Sequence, residues 1–448
     1  MKKYDFIAIG GGNAGLTAVS NVAATGRSTA LIDRGPIGGL CSLNGCNPKK
    51  VLVRSTEILQ EIRHAAKFGI DVSDVHIDWS RVIDRKESFT NGVTEASEKS
   101  LKDQGIDLIK GSPKFVARNE LEVNGDRIQV GSVVIATGSF PRPLGFPGAD
   151  LVKTSNDILA LREVPRDLVI IGSGVVAFEF GQVFARLGAK VTMLTPGKRA
   201  LAGEDEDLVD ILVEFSAKLG VTLLTEAKVS SIARADGRLR VEYHVSDEKR
   251  TVDADFVLNA AGRIPSIGDL ALDKAEVKCD RRGVIVNEFL RSESNPDVFA
   301  AGDAHGRLQL SPIASYEGRV AAKNYLEGDT EPVDYESVSR SIYTIPPLAS
   351  AGLTETEAKK RGLSFSVHNN NMTGWKVYAI LGEPIAHSKI LIESGTNKIL
   401  GAHILGPSAS DEIHIFALAI KFGITAEQLK NMVYAYPTVS SALTYALG

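Results

Sequence analysis

Two cysteines five residues apart, Cys41 and Cys46, lie in the stretch GGLCSLNGCNPKK (38–50), between a pair of glycines and a Pro-Lys-Lys run. Thiols at this spacing suit three chemistries: a disulfide staple, half a metal site, or a reaction centre. A chain of 448 residues buries enough surface to stand without staples. A zinc site needs two more ligands. Only Cys279 and eight scattered histidines remain, with no C-x-x-C or H-x-x-x-H pair, so no metal site is expected. Lys49 and Lys50 follow Cys46, and a nearby cation or helix N-terminus favours a thiolate. Cys279, between a lysine and an aspartate, reads as a structural thiol.

The elements around the pair narrow the choice. An apolar strand is expected over Tyr4 to Ile9, followed by Gly10, Gly12 and Gly15 in G-x-G-x-x-G spacing, with Asn13 and Ala14 inside the motif. A helix pattern then runs to about Ala24, and a second strand, Ser28 to Ile32, leads to Asp33. In such a unit the first glycine makes a tight turn and the second lets a pyrophosphate approach the backbone. The third packs helix on strand, and the helix N-terminus holds the negative charge. An acid about twenty residues on bonds the ribose hydroxyls, and Asp33 lies 23 residues after Gly10.

The unit returns at DLVIIGSGVVAFEFGQVFARLGAKVTMLTPGKR (167–199). Strand Leu168 to Ile171 leads to Gly172, Gly174 and Ala177, then a helix to Leu187 and a strand from Lys190 to Leu194. Here Thr195 stands where the acid would be, followed closely by Lys198 and Arg199. An acid repels a 2′-phosphate and a cation attracts it. The second unit therefore leans mildly toward NADP over NAD, with a solvated turn as the other use of the two cations. Two nucleotide folds suggest a flavin and a nicotinamide, and a cysteine pair beside the flavin extends the relay to a thiol substrate.

Composition agrees. The chain is 44% hydrophobic and 24% charged with a net charge of -4, a globular balance without the basic face that a nucleic acid needs. The longest apolar run, around LVIIGSGVVAF, breaks at Glu179 and is too short to span a membrane. No cleavable leader is visible at MKKYDFIAIGGG, so a cytoplasmic protein is expected, where thiols are normally reduced.

Taken together, these motifs resemble the FAD-dependent pyridine-nucleotide disulfide oxidoreductases, the family of glutathione reductase, dihydrolipoyl dehydrogenase and mercuric reductase. GGLCSLNGCNPKK is similar to the family's cysteine motif. VIATGSFPRP (134–143), with Thr137 and Gly138, resembles the return from flavin to nicotinamide domain. VLNAAGRIPS, with Gly262 and Arg263, resembles the segment closing the nicotinamide domain, and DVFAAGDAHG (297–306) the second flavin motif. The resemblance implies that Cys41 and Cys46 form a redox-active disulfide, with Cys46 facing the flavin as a thiolate and Cys41 attacking the substrate. It implies that Asp303 bonds the ribityl chain, that Gly39, Lys50 and Leu310 line the flavin site, and that a lysine, Lys49 or Lys50, pairs with Glu179. It further implies a homodimer whose active sites are each shared across the interface.

Five positions depart from the family pattern. Leu40 and Leu43 replace a threonine and an asparagine in the cysteine motif, and Val175 stands where glutathione reductase has a gating tyrosine. In YPTVSSAL (436–443), Tyr436 and Ser441 replace the histidine and glutamate of the usual acid-base dyad. A tyrosine, with an ordinary pKa near 10, is a poor proton shuttle at neutral pH. The chain also ends without the vicinal cysteines of mercuric reductase.

The expected fold is α/β: two Rossmann-like dinucleotide-binding domains plus a C-terminal α+β dimerisation domain. Residues 1–148 and 269–334 would bind FAD, 149–268 NAD(P), and 335–448 would form the interface. The expected activity is electron transfer between NAD(P)H and a small-molecule or lipoyl-type disulfide through Cys41 and Cys46. The alternatives are a flavin reductase with a quinone or oxygen as acceptor, and a non-enzymatic flavoprotein subunit.

Overall fold

The computed structural model describes all 448 residues. Contacts within the chain group it into two units. The first holds residues 1–51, 83–143 and 262–333, and the second holds 52–82, 144–261 and 334–448.

The first unit is built on a seven-stranded sheet. Its parallel strands run Asp107–Lys110, Thr29–Asp33, Lys2–Ile9, Asp126–Ile135 and Val298–Ala300, and a short meander, Lys114–Ala117 and Glu120–Val123, extends one side. The central strand reads YDFIAI and is buried throughout its second half, as a parallel strand covered on both faces must be. Register aligns Ile9 with Ile32 on one side and Ile135 on the other, and Ile135 with Ala300. The residues just past these strand ends therefore share one edge of the sheet: Gly10, Asp33, Thr137 and Asp303. In open α/β sheets that carboxyl edge is where ligands bind.

The second unit repeats the theme with four parallel strands, in the order Val221–Leu224, Lys190–Leu194, Asp167–Ile171, Phe256–Asn259. A three-stranded antiparallel meander over 227–254 packs on it through Val169, Ile171, Val229, Ile232 and Val241. The same unit contains a five-stranded antiparallel sheet ordered Arg340–Ile342, Leu348–Gly352, Ile399–Leu405, His387–Glu393, Phe365–Asn371. Helix Ala409–Phe422 covers it, burying Ile413 and Phe416 against Ile390, Ala402 and Ile404. The architecture is the α/β class expected, with two dinucleotide-type sheets and a C-terminal α+β region. No helix is long and apolar enough to cross a membrane.

The sequence elements match within a residue or two. Strand Lys190–Leu194 has the expected bounds, and the first glycine-loop helix is Asn13–Ala23. The cysteine segment is divided between two helices. Cys41 lies in a short helix, Gly39–Asn44, and Cys46 is the first residue of a second, Cys46–His64. Gly45 breaks the two at φ -139°, ψ -111°, and a Cβ there would come within 2.8 Å of the Leu40 carbonyl oxygen.

Candidate active site and nucleotide sites

The cysteine segment is fastened to the first glycine loop. Gly38 N–H donates to the Gly11 carbonyl at 2.9 Å. A Cβ on Gly39, which sits at φ +69°, would lie 2.5 Å from the Gly12 Cα, so two backbones touch where side chains would not fit. The loop itself is as tight. A Cβ on Gly10 would meet the Ala136 carbonyl oxygen at 2.2 Å, and one on Gly15 the Gly10 oxygen at 1.9 Å. Asn13 and Ala14 open the helix whose first N–H groups face this edge. The Asp33 carboxylate accepts from Gly11 N–H at 2.5 Å and Gly35 N–H at 2.6 Å, which fixes it at the rim.

Across the edge, Thr137 carries a buried hydroxyl with no partner, followed by Gly138 at φ +67°. The Ser139 hydroxyl donates to Asp303 at 2.6 Å and accepts from Arg263 Nε at 2.8 Å. Burial pushes the Asp303 carboxyl above its ordinary range, against the opposing pull of Ser139 and Arg263. Burial likewise holds the Arg263 guanidinium below its usual value. The Gly262 carbonyl accepts from Arg142 N–H, and this crossing segment forms a separate two-stranded sheet within the first unit. Behind Asp303, the fully buried Glu317 accepts from Gly302 N–H at 2.6 Å and pairs with His305 at 2.9 Å.

A tight glycine cradle, a rim carboxylate, an orphaned threonine hydroxyl and a buried aspartate on one sheet edge fit a dinucleotide such as FAD. The phosphates would lie at the helix N-terminus and the sugar hydroxyls at Asp33 and Asp303.

Cys41 and Cys46 are both thiols here, Cys46 the more exposed. Cys46 opens a 19-residue helix with no acid in its first turn, and Pro48 removes one N–H that would otherwise lack a partner. The Cys46 sulfur lies 3.1 Å from the Ser311 hydroxyl. Ser311 is the first residue of helix Ser311–Glu327, next to its N-cap Leu310. The hydrogen bond from Cys41, with help from Ser311 and the Lys49 ammonium, brings the Cys46 thiol down to about 6 against the cost of burial. Its partner moves the other way: the bond to Cys46 and burial raise Cys41. The pair therefore shares one proton, kept by Cys41. Of the two candidate lysines, Lys49 is the one whose charge acts on Cys46, and Lys50 is exposed.

The second glycine loop repeats the first turn, with a Cβ on Gly172 meeting the Ala260 oxygen at 2.1 Å. Gly174 has open space around it, and Ala177 is fully buried where the first loop needs glycine. The following helix, Val175–Arg186, is buried from Ala177 onward. Glu179, 5% exposed, accepts from Tyr343 N–H at 2.9 Å, and Gln182 from Ile345 N–H at 2.9 Å. Past the second strand, the Thr195 hydroxyl weakly accepts from Gly197 N–H at 3.4 Å. Lys198 is exposed, while Arg199 is tied to Glu206 by an ion pair. The loop fits a second dinucleotide, with Lys198 as its available cation.

Tyr436 is 66% exposed and precedes a cis proline. Ser441 is buried and spent on the local turn, its hydroxyl donating to the Thr438 carbonyl at 2.6 Å. Sequence reading missed Ser311, Ser139 and Glu317. Ser311 lies 265 positions from Cys46, and only its place next to Leu310 at a helix start hinted at it.

The comparisons with known proteins bear on the whole chain. Residues 4–318 match the model of the pyridine nucleotide-disulphide oxidoreductase family, and 338–447 match that family's dimerisation domain. Dihydrolipoyl dehydrogenase of Chlamydia muridarum is 32% identical over 446 residues, covering 98% of this chain and 94% of that protein. Mercuric reductase of Bacillus cereus is 32% identical over 448 residues, covering 99% of this chain and 71% of that protein. Among solved structures, the HOCl-induced flavoprotein disulfide reductase RclA of Escherichia coli, as its Cu(II) complex, superposes with a TM-score of 0.89 at 26% identity. That match covers 100% of this chain and 99% of RclA. With both nucleotide cradles in place, the chain belongs to the pyridine nucleotide-disulphide oxidoreductase family and is a flavoprotein disulfide oxidoreductase using FAD and NAD(P)H.

Proposed function

We propose that Cys41 and Cys46 are the redox pair through which this enzyme passes two electrons from NAD(P)H to a disulfide substrate. Cys46 is the resting thiolate and Cys41 the sulfur that engages substrate. The asymmetry of the pair carries this reading: Ser311, Lys49 and a helix N-terminus converge on Cys46, while Cys41 retains the shared proton. Bound FAD supplies a two-electron relay between the nicotinamide and the thiols.

The chain's own chemistry then runs in two exchanges. Handing the shared proton to Cys46 frees Cys41 as a nucleophile. Cys41 attacks one substrate sulfur, forming a mixed disulfide and expelling a thiolate that must take a proton. Cys46 gives up its proton and attacks the Cys41 sulfur, releasing the second thiol and closing the Cys41–Cys46 disulfide. Two electrons leave the pair and two substrate thiols form; one proton comes from the pair and one from solvent or a positioned acid.

That acid belongs, on this reading, to the other chain of a homodimer. Tyr436 would reach over its partner's cysteine pair and donate a hydrogen bond to the departing sulfur. Acid-base help typically contributes about 10²–10⁴-fold, and a tyrosine supplies less of it than a histidine near neutral pH. NADPH is the preferred donor, because Thr195 removes the repelling acid and Lys198 remains exposed. FAD would be held by residues 1–148 and 269–334, NADPH by 149–268, and the dimer by 335–448. Reduced thiols suit a cytoplasmic setting.

A lipoyl-type or small-molecule disulfide is the acceptor class, supported by dihydrolipoyl dehydrogenase and the disulfide reductase RclA among the relatives. These names favour a disulfide over a quinone. A thiophilic metal ion is a second reading, from the mercuric reductase name and the Cu(II) complex of RclA. Steady-state turnover with lipoamide, glutathione disulfide, a quinone and Cu(II) tests the order. Turnover with a disulfide that is lost in Cys41→Ser is expected, and quinone turnover that survives this change would overturn the proposal.

A further inference from the structure

The rim of the second glycine loop is an irregular stretch, residues 195–205, between strand Lys190–Leu194 and helix Glu206–Lys218. It carries Thr195, Lys198 and Arg199, and its path is set from outside. Leu201, 5% exposed, sits at φ +43°, where a bulky residue is rarely found unless its surroundings hold it there. Its N–H donates to the carbonyl of Ser173, the residue between Gly172 and Gly174, at 2.9 Å. The Glu204 N–H returns to the Leu201 carbonyl at 2.8 Å.

The far end of the stretch is fastened to the five-stranded antiparallel sheet. Asp205 is the N-cap of the helix, one carboxylate oxygen accepting from Asp207 N–H at 3.2 Å. Its other oxygen meets the Lys389 ammonium at 3.1 Å, and both side chains are buried. Lys389 stands on strand His387–Glu393 and also reaches Asp207 at 2.8 Å and Glu355 at 2.6 Å. A lysine this deeply buried is rare unless it is paired. Burial opposes its charge, and the three carboxylates more than offset that, holding the ammonium above its ordinary value. The preceding acid, Glu204, accepts from the Ser350 hydroxyl at 2.7 Å and faces Arg340 at 3.8 Å. Two consecutive acids thus tie the rim to three strands of the sheet. The next residue, Glu206, engages Arg199.

We propose that Lys389 is a positioning residue of the nicotinamide-nucleotide site: by neutralising the buried Asp205 it holds the helix start, and with it the rim, in the path that presents Lys198 to a 2′-phosphate. The proposal rests on the reading of Lys198 given above. Without the ammonium, Asp205 is a buried carboxylate lacking its counterion. It is driven toward water and takes the end of the rim with it. Lys198 is then displaced, and the phosphate loses a contact although no residue that touches it has changed.

Two readouts on the FAD-bound full chain test this. The first is hydrogen exchange of the peptide spanning 196–206, without nucleotide. Lys389→Met, which nearly keeps the side chain's length and removes its charge, should quicken it about tenfold. Asp205→Asn keeps the helix cap and serves where Lys389→Met folds poorly; it should quicken the same peptide about threefold. The second is nucleotide affinity of the oxidised protein by calorimetry. Lys389→Met should weaken NADP⁺ about fivefold, the loss one exposed cation contact accounts for, and NAD⁺ by less than about twofold. Because Lys389 acts through Lys198, the double variant Lys198→Ala/Lys389→Met should bind NADP⁺ no more weakly than Lys198→Ala alone.

A peptide as protected in both variants as in the unmodified protein overturns the inference. So does an unchanged NADP⁺ affinity in Lys389→Met beside a weakened Lys198→Ala. Equal weakening of NADP⁺ and NAD⁺, or losses that add in the double variant, also overturns it, since either makes Lys389 a general support. Lys198→Ala that binds NADP⁺ as tightly as the unmodified protein overturns the reading of the rim itself, and the inference falls with it.

Discussion

Gly10 and Gly172 open their loops at φ of +115° and +123°, and in each a Cβ would strike the carbonyl oxygen of a neighbouring strand, Ala136 at 2.2 Å and Ala260 at 2.1 Å. Beyond that shared turn the two regions part. The first loop is roofed: Gly39 lies on Gly12, and the cysteine segment is hydrogen-bonded to Gly11. Its rim carries Asp33, already oriented by two backbone N–H groups. The second loop has open space at Gly174, an exposed Val175 (43%) beside it, and Thr195 with Lys198 at its rim. One dinucleotide cradle is roofed by the cysteine segment and suits a resident cofactor. The other is open, as a nucleotide that must come and go at each turnover requires.

The third loop position breaks this comparison most forcefully. A Cβ on Gly15 would lie 1.9 Å from the Gly10 oxygen, whereas the second loop already carries Ala177 there. Gly15→Ala should lower FAD affinity on the order of 100-fold and yield largely colourless protein. Ala177→Gly should leave flavin content unchanged. Flavin absorbance per chain after gel filtration decides between them, and a fully yellow Gly15→Ala protein would mean the first loop is looser than its geometry.

Ser311 sharpens the roofed side. A hydrogen bond to a charged group contributes about 1.5–3 kcal/mol, and one pKa unit is about 1.4 kcal/mol. Ser311→Ala should therefore raise the Cys46 midpoint by about one unit from its value of about 6. The long-wavelength thiolate–flavin absorbance of the reduced protein, followed against pH, reports it. Below the midpoint the band is lost as Cys46 takes a proton. Ser311→Thr should restore the original midpoint, and an unmoved midpoint in Ser311→Ala would detach Ser311 from the pair.

On the open side the effects are smaller. Lys198→Ala should raise the KM for NADPH about fivefold, since one exposed cation contact contributes on the order of 1 kcal/mol. Arg199→Ala should do less, its guanidinium being engaged by Glu206. Thr195→Asp should shift preference toward NADH. Stopped-flow flavin reduction with each nucleotide is the check, and a tenfold NADH advantage in the unmodified protein would reverse the assignment of the rim.

How much of this could be read in the sequence follows from the distances involved. The glycine loops, their strands and the cysteine motif are local, and local spacing sets their geometry: Gly10, Gly12, Gly15 and Asp33 all lie within one βαβ unit. The alignment of Thr137 and Asp303 with them depends on sheet register, which a family resemblance conveys and residue patterns do not. Ser311 beside Cys46 is a pairing across 265 positions, set by helix packing alone. The break at Gly45 escaped notice because its cause is a close backbone approach to Leu40 rather than a turn motif.

The division of labour between the two sulfurs is the central claim, and the visible spectrum of two single variants tests it most directly. Purified Cys41→Ser, with FAD bound and no reductant, should show the long-wavelength thiolate–flavin band, because Ser311 and Lys49 still favour an ionised Cys46 beside the flavin. Cys46→Ser should show no such band, oxidised or after NADPH. A band that persists in Cys46→Ser and is absent from Cys41→Ser would exchange the two roles and contradict the account.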